Sequence, residues 1–139
     1  MTLNALIQII GRQAIKNKLV NWFGGGANVY DINNNEVRDY ALLFFSPTGT
    51  HTSTTNYTTY SVTMFYMDRL SDDNSNDIQI FSAGIEVLKR IVKDIENLDD
   101  VLSVSDEINL NNFTETEKMT DRVAGAYATF DITVANDNC

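Results

Sequence analysis

His51 is the single histidine of the chain, and it stands in a segment crowded with threonine and serine. An imidazole beside a hydroxyl and a carboxylate is the makeup of a hydrolytic triad. Here, though, hydroxyls surround His51 by composition alone, and a triad is recognised by geometry before residue type. A small hydrolase using His51 with an acid is therefore the weakest of three functional readings. Cys139 is the only cysteine and stands last, so no intramolecular disulfide is expected and a fraying position is a poor place for a nucleophile. The run Asp72-Asp73-Asn74-Ser75-Asn76-Asp77 has the look of a calcium loop. An EF-hand loop begun at Asp73 needs glycine sixth and glutamate twelfth, but Ile78 and Gly84 occupy those positions. It reads instead as a polar turn, with Asn76 as helix N-cap and Gln79 completing a capping box. Gly24-Gly25-Gly26 lacks the Lys-Ser/Thr of a phosphate loop and reads as a hinge. Asp94, Glu96, Asp99, Asp100, Asp106 and Glu107 have no histidine among them and no fixed spacing, so they read as a solvated acidic face. No catalytic residue, metal ligand or cofactor site is expected.

The elements that would position any site are plainer. Phe81, Ile85, Leu88, Val92 and Ile95 recur at spacings of four, three, four and three, one face of a helix over 76–98. Ile80, Gly84, Val87 and Ile91 make a second stripe beside it. Leu3, Leu6, Ile7, Ile10 and Ala14 predict an N-terminal helix, capped by Thr2 and closed by Trp22 and Phe23. A short strand is expected at 29–32, a turn at Asn33-Asn34-Asn35 and a longer strand from Val37 to Phe45. The apolar run Ala41–Phe45 predicts cover on both of its faces. Ser46 to Thr59 reads as a long hairpin loop, functional or mobile by its length. The return strand runs over 57–67, with Tyr60, Val62, Met64 and Tyr66 on one face. Residues 108–112 alternate weakly, and Ala124 to Val134 alternate clearly. The small residues opening that last strand invite a close approach.

The fold class expected is α+β: an antiparallel sheet with a long hairpin, a central amphipathic helix packed on it, and an N-terminal helix. Residues 1–26 form the helix and glycine hinge, and 27–139 a single domain. A length of 139 residues suffices for a real core. No apolar run approaches the 18 or so residues that span a bilayer. The cations Arg12, Lys16 and Lys18 follow the first apolar stretch instead of preceding it, unlike a secretory signal. A net charge of −9 and a pI near 4.3 argue against a protein that grips nucleic acid by its phosphates. They suit a surface that nucleic acid passes without sticking.

The stretch Tyr57–Leu70, ending Met67-Asp68-Arg69-Leu70, leads through Asp73 and Asn76 to Ile78-Gln79 and Gly84-Ile85. The chain closes with Phe113, Asp121-Arg122-Val123-Ala124-Gly125 and an aromatic strand. Together with Tyr40–Pro47, this resembles the tail-completion or neck-ring proteins of tailed bacteriophages, those related to the tail-terminator fold, and the ring proteins of crAss-like phages above all. The resemblance spans about residues 28–135 and leaves out the N-terminal helix and the glycine triplet. It implies a structural virion protein of the neck or tail, assembled in the bacterial host cytoplasm, and not an enzyme. It implies copies closed as a ring around the DNA channel, contacts with portal, neck or tail ring proteins, and neither membrane nor specific DNA binding. Rings arise from heterologous contacts whose rotation closes. Exposed hairpin edges supply such contacts, and a negative lumen repels DNA. The candidate oligomer interface is Pro47, His51, Tyr57, Tyr60 and Tyr66. Deleting 47–56 is expected to spare the fold and weaken assembly. The second reading is a monomeric α+β binding module, or an assembly factor absent from the mature particle.

Overall fold

Two helices lie on one face of a mixed six-stranded sheet. The computed structural model describes residues 1–34 and 39–136. In chain order it holds α1 (Leu3–Ile15), β1 (Trp22–Gly25), a 3-10 helix (Val29–Asn34), β2 (Leu42–Ser53), β3 (Tyr57–Arg69), α2 (Asp77–Glu96), β4 (Val101–Val104), β5 (Asn109–Glu115) and β6 (Val123–Ala135). The strands order β1-β2-β3-β6-β4, and β5 pairs with β6 beyond the reach of β4. The α+β class is as expected, with one correction: the sheet is not wholly antiparallel, because β1 runs parallel to β2. A parallel neighbour needs a crossover of a dozen or more residues, and the chain between Gly25 and Leu42 supplies it.

That pairing removes the expected hinge. The first helix stops at Ile15, and Trp22 and Phe23 open a strand instead of closing a helix. Gly24 and Gly25 are strand residues in register with Phe44 and Phe45. The expected strand at 29–32 is also absent. Tyr30 N–H donates to Asn28 Oδ1 (2.9 Å) and Asn28 N–H to Asp31 Oδ2 (3.1 Å), local bonds that wind this segment into the 3-10 helix. Short polar side chains that bond their own backbone defeat β propensity in this way. Asn35 and Val37 lie outside the described residues.

The hairpin is longer in strand and shorter in loop than its composition suggests. β2 continues to Ser53, and only Thr54, Thr55 and Asn56 turn the chain. Thr54 Oγ1 accepts from the N–H groups of Asn56 (3.3 Å) and Tyr57 (3.2 Å). Asn136 Nδ2 donates to the Thr54 carbonyl at 2.7 Å, tying the tip to the end of β6. Threonine is β-branched and fits a pleated surface, so a threonine-rich stretch read as loop extends as ladder.

Burial follows the pleat. Phe44 and Phe45 are both 0% exposed and face opposite ways. Phe45 joins the helix-side core of Leu6, Ile10, Met64, Leu88, Ile91 and Ile132. Phe44 joins a smaller cluster with Ile32, Leu42, Met67, Met119 and Val123 on the other face. The cover expected on both sides of this strand is present. β6 keeps its alternation, with Ala124, Ala126, Ala128, Phe130, Ile132 and Val134 buried beneath the helices.

The centre of the buried face of α2 is Ile80, Gly84, Val87, Leu88, Ile91 and Ile95, while Phe81 and Ile85 are half-buried at its flank. Gly84 sets the approach: a Cβ there would stand 2.9 Å from Tyr66 Cδ1 and 3.1 Å from the Ala126 Cβ. The small residues at the start of β6 are therefore what lets α2 sit close. The capping box does not form. The Asn76 side chain makes no cap bond; it accepts from Ser71 N–H (2.8 Å) and donates to the Arg69 carbonyl (3.1 Å), closing the turn behind it.

Candidate functional site

Among the residues singled out for chemistry, the acidic turn is the most ordered. Asp73 Oδ1 accepts from the Ser71 hydroxyl (2.9 Å) and the Ser75 N–H (3.0 Å). Asn74 takes a left-handed φ of 60°, a conformation asparagine tolerates. Hydrogen bonds from Ser75 and Ser71 hold the Asp73 carboxyl down at about 2. Its oxygen is engaged by the turn itself, and no group of three or more metal-ligating side chains occurs among the described residues. A carboxyl lowered on folding contributes stability above its unfolded value and loses it as pH falls toward the folded one. The wild type should therefore lose more thermal stability than Asp73→Asn between about pH 4 and pH 2, read as melting temperature against pH. Equal acid sensitivity in the two proteins would contradict this.

Among the described residues, no hydroxyl or carboxylate hydrogen-bonds the His51 ring. It stands in β2 opposite Tyr60, ring centroids 5.3 Å apart and edge-on, and its Nδ1 accepts from the Ser61 N–H (3.2 Å). Tyr60 in turn donates from its hydroxyl to the Met1 carbonyl at 3.1 Å, which pins the start of α1 to the hairpin. Pro47 pairs with Val62, and between Pro47 and His51 the register of β2 shifts through a bulge. Tyr57 is exposed at the tip. Tyr66 needs correction as an interface candidate: it is 3% exposed beneath α2, and burial, with the Asp68 carboxylate adding to it, pushes its hydroxyl up to about 12. The period-2 pattern places it on the face with Tyr60 and Val62, but only the docking of α2 decides which end of that face is covered. Cys139 lies outside the described residues.

The open surfaces are the edges of the sheet. β1 covers β2 only from Leu42 to Phe45, so among the described residues no strand pairs the outer side of 46–53. No Asp, Glu, Lys or Arg occurs from Ser46 to Met67. Charged side chains are a usual means of blocking an edge strand, and this edge has none. Below it, α1 and β1 enclose an open groove lined by Ile7, Gly11, Ile15, Trp22 and Phe23, with Arg12 at its rim. A Cβ on Gly11 would stand 2.9 Å from the Phe23 ring, so helix and strand meet closely at its floor. Reading Trp22 and Phe23 as the end of a helix hides this groove. A β-favouring aromatic pair directly before glycines is the signal that marks it as strand.

The opposite edge is β4 with β5. β4 is short and bulged: Val101 pairs with Val134 and Ser103 with Thr133, which leaves Leu102 as the extra residue, 59% exposed. Asp99, Asp100, Asp106 and Glu107 surround β4 in the chain and are exposed. The class the fold and surfaces define is an α+β protein with two open and chemically unlike sheet edges. No protein-family model matches the chain, and no curated protein matches it in sequence.

Proposed function

We propose that the chain is a structural virion protein of a tailed bacteriophage, a ring-forming head–tail connector or tail-completion subunit around the DNA channel. The observation that carries this reading is the pair of unlike open edges. One is the uncharged, unpaired edge of the β2–β3 hairpin with the apolar groove below it; the other is the bulged acidic edge at β4. Two different surfaces on opposite sides of one subunit are what a heterologous contact requires, and such contacts close into rings when the rotation permits. The net charge of −9 supports the channel role, because a lumen that holds no phosphate lets DNA slide. The resemblance of residues 28–135 to neck-ring proteins points the same way. The portal, neck or tail rings are its proposed neighbours, and the neck or tail of the particle its place.

The test has two arms. Native mass spectrometry over a range of concentrations should find a discrete closed oligomer, and purified particles should contain the protein at a fixed copy number. Absence from intact particles would sink the virion role. For the hairpin, Thr50→Lys with Thr52→Lys places two cations on the exposed edge. The pair should abolish or weaken assembly while stability stays within about 0.5 kcal/mol of wild type, as surface substitutions usually do. Unchanged assembly would remove the hairpin from the interface.

A further inference from the structure

Five large apolar side chains are exposed among the described residues: Ile15, Leu19, Tyr57, Ile78 and Leu102. Three of them fall in two patches of opposite charge. Ile15 (53% exposed) and Leu19 (52%) are interspersed with Arg12, Lys16 and Lys18, all exposed, with no acid between residues 11 and 20. Leu102 stands among Asp99, Asp100, Asp106 and Glu107, all exposed, with no base between residues 99 and 107. In a chain of net charge −9, a cationic stretch of this kind is conspicuous. None of these seven charged groups forms an ion pair among the described residues.

The placement of the patches matters as much as their charge. Ile15 and Arg12 line the groove against β1, at one end of the strand order, and Leu102 stands on β4, at the other. A bulge re-aims a side chain and bends an edge away from ladder pairing. Leu102 is therefore presented as an apolar knob with carboxylates about it, and the α1–β1 groove is an apolar hollow with Arg12 in its lining, while Lys16 and Lys18, next along the chain, line a neighbouring pocket with Arg90 and Asp94. Within one subunit β1 and β4 stand at opposite ends of the strand order, although Asp100 lies beside Thr2, Ala5 and Ile9 at the start of α1.

We infer that the occupant of the α1–β1 groove is the acidic β4 edge of a second copy, with Leu102 seated against Ile15 and Trp22 and the carboxylates of 99–107 facing Arg12, Lys16 and Lys18. The contact is head to tail, because each patch needs the other and neither complements itself. Charged rims of this kind set orientation and encounter rate and exclude wrong partners, while the apolar centre holds the contact. The association is consequently salt-sensitive, since exposed charges are screened within about 8 Å at physiological ionic strength. This inference deepens the ring reading and rests on self-association, not on the presence of the protein in a virion.

Three variants of the full chain decide it. Lys16→Glu with Lys18→Glu should weaken self-association at low salt by about tenfold or more, and so should Asp99→Lys with Asp100→Lys, because like charges then face one another across the contact. All four substitutions in one chain exchange the two signs and should restore association to near the wild-type strength. Sedimentation equilibrium reads all three against wild type at two salt concentrations, with melting temperature as the control for folding. Recovery in the combined variant supports the pairing. Failure to recover, insensitivity to either reversal, or a wild type that stays monomeric at low salt each overturns it. A protein that forms its ring regardless of these charges would leave the connector reading standing and remove only this contact.

Discussion

Gly125→Val is expected to cost the protein about 3 kcal/mol or more, at or beyond the upper end of overpacking effects. Gly125 lies in β6 between two partners, Met67 of β3 and Phe113 of β5. A Cβ at this position would run into the Tyr66 carbonyl oxygen and come within 2.8 Å of its carbon and 3.0 Å of the Met67 Cα. The obstacles are backbone atoms of the neighbouring strand, so no rotamer change relieves the overlap. β6 has to separate from β3 locally or change register. A slip by one residue would turn Ala124, Ala126, Ala128 and Phe130 away from the helices. Gly49→Ala is the internal control. Nothing lies within 4 Å of its built Cβ, and its stability should stay within about 0.5 kcal/mol of wild type. Urea denaturation of both variants measures the contrast, and a Gly125→Val protein as stable as wild type would refute the close approach.

Phe45→Ala and Phe44→Ala should each cost about 3–5 kcal/mol, the usual range for deleting a buried phenyl ring. Domains of this size have about 5–15 kcal/mol in total, so either change takes a large share. The reason to make both is that they report on different cores. Phe45 packs with the residues under α1 and α2, and Phe44 packs with Ile32, Leu42, Met67, Met119 and Val123 on the other face. A strand covered on one side only would tolerate one of the two. If either variant unfolds within about 1 kcal/mol of wild type, that face of β2 is not a core in solution.

The second core explains part of what the linear chain conceals. Its cover is drawn from the 3-10 helix, from β1 and from the loop after β5. Tyr30 donates to Glu115 Oε2 at 3.3 Å, Lys118 stands 5.6 Å over the Tyr30 ring, and the N–H groups of Lys118 and Glu117 hold the Glu115 carboxyl below its ordinary range. Asn33 Oδ1 accepts from the N–H of Thr120 at 2.9 Å. The contacts of Tyr30 and Asn33 join segments about eighty-five residues apart in the chain. Periodicity is a local signal and carries no trace of them.

The amphipathic helix over 77–96, the alternating last strand, the covering of Phe44 and Phe45 on both sides and the α+β class were determined by the sequence itself. For the helix and the last strand, a repeat of 3.6 or 2 residues has only one way to bury its apolar members, and for Phe44 and Phe45 an unbroken apolar run needs cover on both faces. Tertiary structure alone decided the rest. It turned Trp22-Phe23-Gly24-Gly25 from a helix end and hinge into a parallel strand, because β2 offers that segment a ladder, a partner that the β propensity of Trp22 and Phe23 does not specify. It drew the threonine-rich stretch 46–53 out into the hairpin, where pairing with β3 satisfies backbone groups that a loop would leave to water. It took Tyr66 from the surface by laying α2 across it, with Gly84 as the point of contact. And it set Ile15 and Leu102, unremarkable in the sequence, on opposite edges of one sheet, because which edges remain open depends on strand order, and strand order is a property of the whole chain.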